Sequence, residues 1–114
     1  MAVIQFGSMS ASLTERDIAI LQKVAEIQRK YQASVRIIAH AAEDAYAASV
    51  TALAQGNYEI SRQRALAIAN QLIRFGVPRD RIAAQAASDS QPMYDTSSPR
   101  GVAANRRAEI FVEF

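Results

Sequence analysis

Two stretches of this 114-residue chain carry the period of an amphipathic helix, and short β-branched runs stand before, between and after them. Ile20, Val24, Ile27 and Tyr31 recur at steps of four, three and four, with Leu21 beside them, which predicts a helix ending near Tyr31. Ser12-Leu13-Thr14-Glu15 ahead of it has the form of a capping box. Ile60, Ile68 and Leu72, joined by Ala65, Ala69 and Ile73, mark a second helix. Asn57 reads as its N-cap, Gly76 as its left-handed C′ residue and Pro78 as its stop. Val3–Phe6, Val35–Ala39 and 108–114 read as strands, with 81–87 a weaker one because alanine is a poor strand former. In the last strand Ala108, Ile110, Val112 and Phe114 alternate with Glu109, Phe111 and Glu113, so one face is committed to a core. The order β-α-β-α-β-β predicts an α+β two-layer sandwich, both helices on one face of a mixed sheet. The interval 40–56 adds a short helix over Asp44–Gln55, with Tyr46, Val50 and Leu53 on one side. No linker, repeat or low-complexity stretch divides the chain, so residues 1–114 read as one domain.

Composition narrows the chemistry. There is no cysteine, hence no disulfide framework, thiolate metal site or cysteine nucleophile. Thirteen basic and eleven acidic side chains give +2, too even a balance for a nucleic-acid binder. The positive charge is nearly all arginine, with Lys23 and Lys30 the two lysines, and its excess lies in residues 57–114. No phosphate-binding loop, dinucleotide fingerprint or metal-ligand spacing occurs, so no cofactor is expected. His40 is the single histidine, at the end of a predicted buried strand, where a structural role outweighs a catalytic one. The chain reads as a non-enzyme. No apolar run reaches the length of a membrane span, so membrane attachment would need a segment outside these residues.

The more specific signal is spread along the second half. Asn57-x-x-Ile60-Ser61-x-x-Arg64-Ala65 opens the second helix, and Gly101-x-Ala103-x-Asn105-Arg106-Arg107-x-Glu109-Ile110 leads into the last strand. Gly76-Val77-Pro78-x-Asp80-Arg81-Ile82 and Ser90-Gln91-Pro92 lie between them. In order and spacing this set resembles the OmpA-like peptidoglycan-associated domain, shared by Pal lipoproteins and flagellar stator proteins. The resemblance runs from Val3 to Phe114. It implies a non-catalytic module of the Gram-negative periplasm, excised from a longer cell-envelope protein, that grips diaminopimelate in the peptidoglycan stem peptide and anchors its parent to the cell wall. Attachment would be to the outer membrane by a lipid or barrel, or to the inner membrane by a helix. Diaminopimelate offers a carboxylate and an ammonium on one carbon. A helix N-terminus with an arginine suits the first, and a carboxylate suits the second. By position, Arg64 corresponds to the family's carboxylate-binding arginine, Asn57 to the Asn heading its helix, and Arg106 to the first arginine of its N-R-R.

The departures from the pattern cluster where the ligand would sit. The family's G-H-T-D is here Ala39-His40-Ala41-Ala42, so the ammonium-binding Asp is replaced by Ala42. The interval from there to Asn57 is several residues longer than usual, and Glu43 or Asp44 within it would have to supply the missing carboxylate. G-R-A reads Gly101-Val102-Ala103, and Ala86 stands where the family has a glycine. The alternative is a degenerate domain that has exchanged the wall for an envelope protein partner.

Overall fold

The computed structural model describes residues 1–7, 10–40, 50–88 and 106–114, with 50–58 and 87–88 through their backbone alone. The elements are β1 (Ala2–Gln5), α1 (Glu15–Tyr31), β2 (Ser34–His40), α2 (Val50–Arg74), a 3-10 turn (Arg79–Arg81), β3 (Ile82–Ser88) and β4 (Arg107–Glu113). The sheet order is β1-β4-β2-β3, with β4 antiparallel to both neighbours and β2 parallel to β3. The predicted β-α-β-α-β-β order and the mixed sheet are therefore what the chain forms.

Pleat alternation sorts the sheet into two faces. Ile4, Val35, Ile37, Ala39, Ala108 and Ile110 are buried under the helices, with Ile37 paired to Ile110 and Ala39 to Ala108. Leu21, Val24, Ile68 and Leu72 close the core from the helix side. The other face carries Arg36, Ile38 and His40 of β2 and Arg107, Glu109 and Phe111 of β4. The alternation of β4 ends early, because Phe114 is exposed and meets Tyr31 edge-on at 5.2 Å.

Three helix readings need correction. The N-cap of α1 is Thr14, not Ser12. Its hydroxyl accepts from the Asp17 amide at 3.1 Å, and the Asp17 carboxylate accepts from the Thr14 amide at 2.9 Å. The same reciprocal capping is present, shifted by two residues. The buried stripe of α1 is Leu21, Val24, Ala25 and Gln28, leaving Ile27 40% and Tyr31 55% exposed. That stripe is turned by about 80° from the predicted one. Small Ala25 can sit deep in the packed face, and Gln28 satisfies its amide on the Ala33 carbonyl at 3.1 Å, so bulk alone does not choose the face.

The third correction is to α2. It begins at Val50 and continues through Gly56 and Asn57 to Arg74. Asn57 is thus within the helix and cannot be its N-cap. Helix-forming Ala52, Leu53 and Ala54 extend the helix across Gly56 despite a cost of about 1 kcal/mol there. The part of the expected short helix from Val50 to Gln55 is continuous with α2, and residues 44–49 lie outside the described residues. The other end matches expectation. Gly76 has φ 98°, its amide reaches the Ile73 carbonyl at 2.9 Å, and the Val77 amide reaches that of Leu72 at 3.0 Å. This is a Schellman closure with its apolar residue, Val77, buried.

Candidate functional site

The buried face of α2 repeats every four residues as Ile60, Arg64, Ile68 and Leu72. Arg64 occupies a position that the period reserves for an apolar side chain, and its exposure is 0%. Such a charge is costly to bury unless its donors are met. Nε donates to the Ser10 carbonyl at 2.8 Å, Nη2 to Gly7 at 3.0 Å and Nη1 to His40 at 3.1 Å. The guanidinium carbon also lies 5.2 Å from the centre of the Phe6 ring. One side chain thereby ties the β1–α1 connection to the end of β2. It also fixes a positive charge where solvent screens it little, a setting that favours an anion at the adjoining surface.

Arg106 meets the same connection from β4. Its Nε donates to the Phe6 carbonyl at 3.3 Å, while its own carbonyl accepts from the Phe6 amide at 2.8 Å. The fold thus brings Arg64 and Arg106 together on Phe6, Gly7 and Ser10. Glu43 and Asp44 lie outside the described residues, as does the side chain of Asn57. The expectation that a helix N-terminus assists Arg64 is corrected by the course of α2. Arg64 lies fourteen residues beyond Val50, about 21 Å along the axis, so the first amides of this helix and the guanidinium cannot share one carboxylate.

A second polar cluster sits on the sheet face away from the helices. His40 Nε2 is 2.6 Å from Glu109 Oε1, and Arg107 Nη2 donates to the same oxygen at 3.4 Å. His40 is 2% exposed and Arg107 3%. A carboxylate only accepts, so the ring hydrogen is on Nε2 and Nδ1 is a bare acceptor. Nδ1 is buried without a hydrogen-bond partner among the described residues. Burial holds the His40 pKa below its ordinary value near 6.5, the Arg107 charge adds to this, and the bond to Glu109 opposes both. His40 is therefore neutral at pH 7.

Sequence reasoning named Arg64 and Arg106 but missed their shared acceptor loop and the Glu109 partner of His40. The nearest carboxylates in sequence, Glu43 and Asp44, drew attention instead. Glu109 comes beside His40 because β2 and β4 pair antiparallel with Ile38 opposite Glu109, a register fixed by contacts far apart in the chain. One usable signal was present: an arginine spaced four residues from both Ile60 and Ile68 on an otherwise apolar stripe.

Comparison with known proteins places this architecture. The chain is 34% identical over 109 residues to the peptidoglycan-binding protein ArfA of Mycobacterium tuberculosis, covering 96% of this chain and 32% of that one. It is 32% identical over 108 residues to the probable lipoprotein YiaD of Escherichia coli, covering 94% of this chain and 46% of that one. The chain therefore spans from about a third to just under half the length of these relatives. Among solved structures, the peptidoglycan-associated lipoprotein of Burkholderia pseudomallei superposes with a TM-score of 0.85 at 21% identity, over 97% of this chain and 89% of that one. The cell wall anchor of the type VI secretion system from Pseudomonas aeruginosa superposes at 0.78 with 29% identity, over 97% and 78%. The profile of the OmpA family matches residues 5–106, and the chain belongs to that family.

Proposed function

We propose that this chain is a non-catalytic module of the cell envelope that binds peptidoglycan and anchors its parent protein to the wall, with the diaminopimelate carboxylate of the stem peptide received beside Arg64 and Arg106. The observation that carries this reading is the buried Arg64 guanidinium at the junction of the β1–α1 connection and β2. It supplies positive charge at a fixed place, in a family whose relatives include a protein named for peptidoglycan binding. Arg106 steadies the same connection through Phe6. In this reading Glu43 or Asp44 takes the ammonium in place of Ala42, and the parent protein works in the periplasm with its membrane attachment in another segment.

Ala42 favours a second reading, in which the domain has lost the wall ligand and holds an envelope protein instead. Co-sedimentation with purified diaminopimelate-type peptidoglycan separates the two. The first predicts that the wild-type chain pellets with the sacculus and that Arg64→Lys, which keeps the charge but not the fork, binds ten- to a hundredfold more weakly, as expected from about 1.5–3 kcal/mol for charge-assisted hydrogen bonds. A folded wild-type chain that stays in the supernatant overturns it and favours the second.

A further inference from the structure

His40 touches both polar regions at once. Its backbone carbonyl accepts from Arg64 Nη1 at 3.1 Å, on the helix side of the sheet. Its imidazole, on the opposite side, is bound to Glu109 at 2.6 Å, and Glu109 is held in turn by Arg107. It is the last residue of β2 and follows a register shift, Ala39 pairing with Ala86 but His40 with Ser88. The ladder to β3 is irregular just where Arg64 needs a fixed acceptor. The antiparallel register with β4 runs down to Ala39, opposite Ala108. The imidazole–Glu109 bond ties the side chain of this residue to β4.

We propose that His40 is a positioning residue for the Arg64 site: its imidazole, clamped by Glu109 and Arg107, sets the carbonyl that orients the guanidinium, so that protonation of the ring loosens Arg64 and weakens ligand binding in acid. The peptidoglycan part of this statement rests on the proposed function, whereas the coupling between the two side chains does not.

The sign of the effect follows from the cluster. The neutral ring donates through Nε2 and leaves Nδ1 as a buried acceptor. Protonation adds a hydrogen at Nδ1 with no acceptor among the described residues and brings a second cation beside Arg107. It also strengthens the attraction to Glu109, but burial and Arg107 outweigh that attraction. Among the described residues the charged groups facing His40 are Glu109 and Arg107 from β4 and Arg64 from α2, and its partner on β3, Ser88, is uncharged. The cationic ring is thus the form the site disfavours, and acid is the direction of release.

The test uses the chain's single histidine, whose ring C–H signals need no assignment by mutation. NMR follows these signals and the Arg64 Nε–H cross-peak, identified by its loss in Arg64→Lys, from about pH 7.5 down to about pH 5. The two should move over the same pH window. His40→Gln, whose amide still donates to Glu109 but does not titrate, should keep the Arg64 cross-peak near its wild-type position and flatten its pH response. His40→Ala should speed solvent exchange of the Arg64 Nε–H by about tenfold or more. Glu109→Gln gives a milder route to the same loosening if His40→Ala does not fold. An Arg64 signal that stays flat while His40 titrates overturns the proposal, as does unchanged exchange in the folded His40→Ala or Glu109→Gln chain. Co-sedimentation over the same pH range should show wild-type binding falling in acid and His40→Gln binding holding steady. A wild-type chain that binds no peptidoglycan at any pH, but whose Arg64 signal tracks His40, sustains the coupling and overturns its link to that ligand.

Discussion

Arg64 and Arg36 carry the same functional group on opposite sides of one sheet, and their surroundings make them different devices. Arg36 is on the open face. It stacks over Phe111 at 4.6 Å and meets Glu113 at 2.6 Å, with both partners of the ion pair about half exposed. Water competes for every one of those contacts, so the pair contributes little. Arg64 is sealed in the helix layer and gives three of its donors to carbonyls of two separate segments. Removing it leaves acceptors without partners in a low-dielectric interior, a larger loss than the bond it made. Depth and the identity of the acceptors, not the residue type, decide which arginine organises a site.

The largest effect should come from Arg64 itself. Arg64→Ala opens a cavity and strands the Gly7, Ser10 and His40 carbonyls, and should cost about 3–5 kcal/mol in denaturant unfolding. A loss below that of an exposed arginine would erase the contrast. Acid comes next. His40 has its pKa lowered on folding, so the stability it contributes is complete above its unfolded value near 6.5 and is lost as pH falls from there through the lowered folded value. Melting temperatures over that window should drop for the wild type and stay level for His40→Gln, and equal slopes would remove the cluster from the account. A smaller effect probes how deep in α2 Arg64 lies. If the helix runs through Gly56, Gly56→Ala should stabilise the chain by about 0.5–1 kcal/mol, whereas a helix start at Asn57 would leave it neutral or destabilising. Arg36→Ala should be the smallest, about 0.2–1 kcal/mol, and weaker still in high salt.

How much of this could be read beforehand follows from the range over which each feature is determined. The C-terminal end of α2 was legible because Gly76 and Pro78 act within a turn, and the Gly76 φ of 98° is a local demand. Its N-terminal end was not, because Gly56-Asn57 looks like a start while the alanine-rich stretch before it carries the helix on. The face of α1 was misjudged through Ile27 and Tyr31, whose bulk suggested burial though small Ala25 and a satisfied Gln28 take the core side. Within the site, the two arginines stood out by motif, while Arg64's place in an apolar stripe went unread. Their acceptors are backbone carbonyls, and no residue type announces these. The His40–Glu109 pair depends on strand register between residues 69 positions apart, which period and propensity do not encode.

The most direct test of the central claim is a titration of the isotope-labelled chain with a diaminopimelate-containing stem peptide, reading the arginine Nε–H cross-peaks together. The account predicts saturable shifts at Arg64 and Arg106, absent in Arg64→Lys, with Arg36 on the open face unmoved. Shifts at Arg36 with none at Arg64, or no shift at any arginine at saturating peptide, would contradict it.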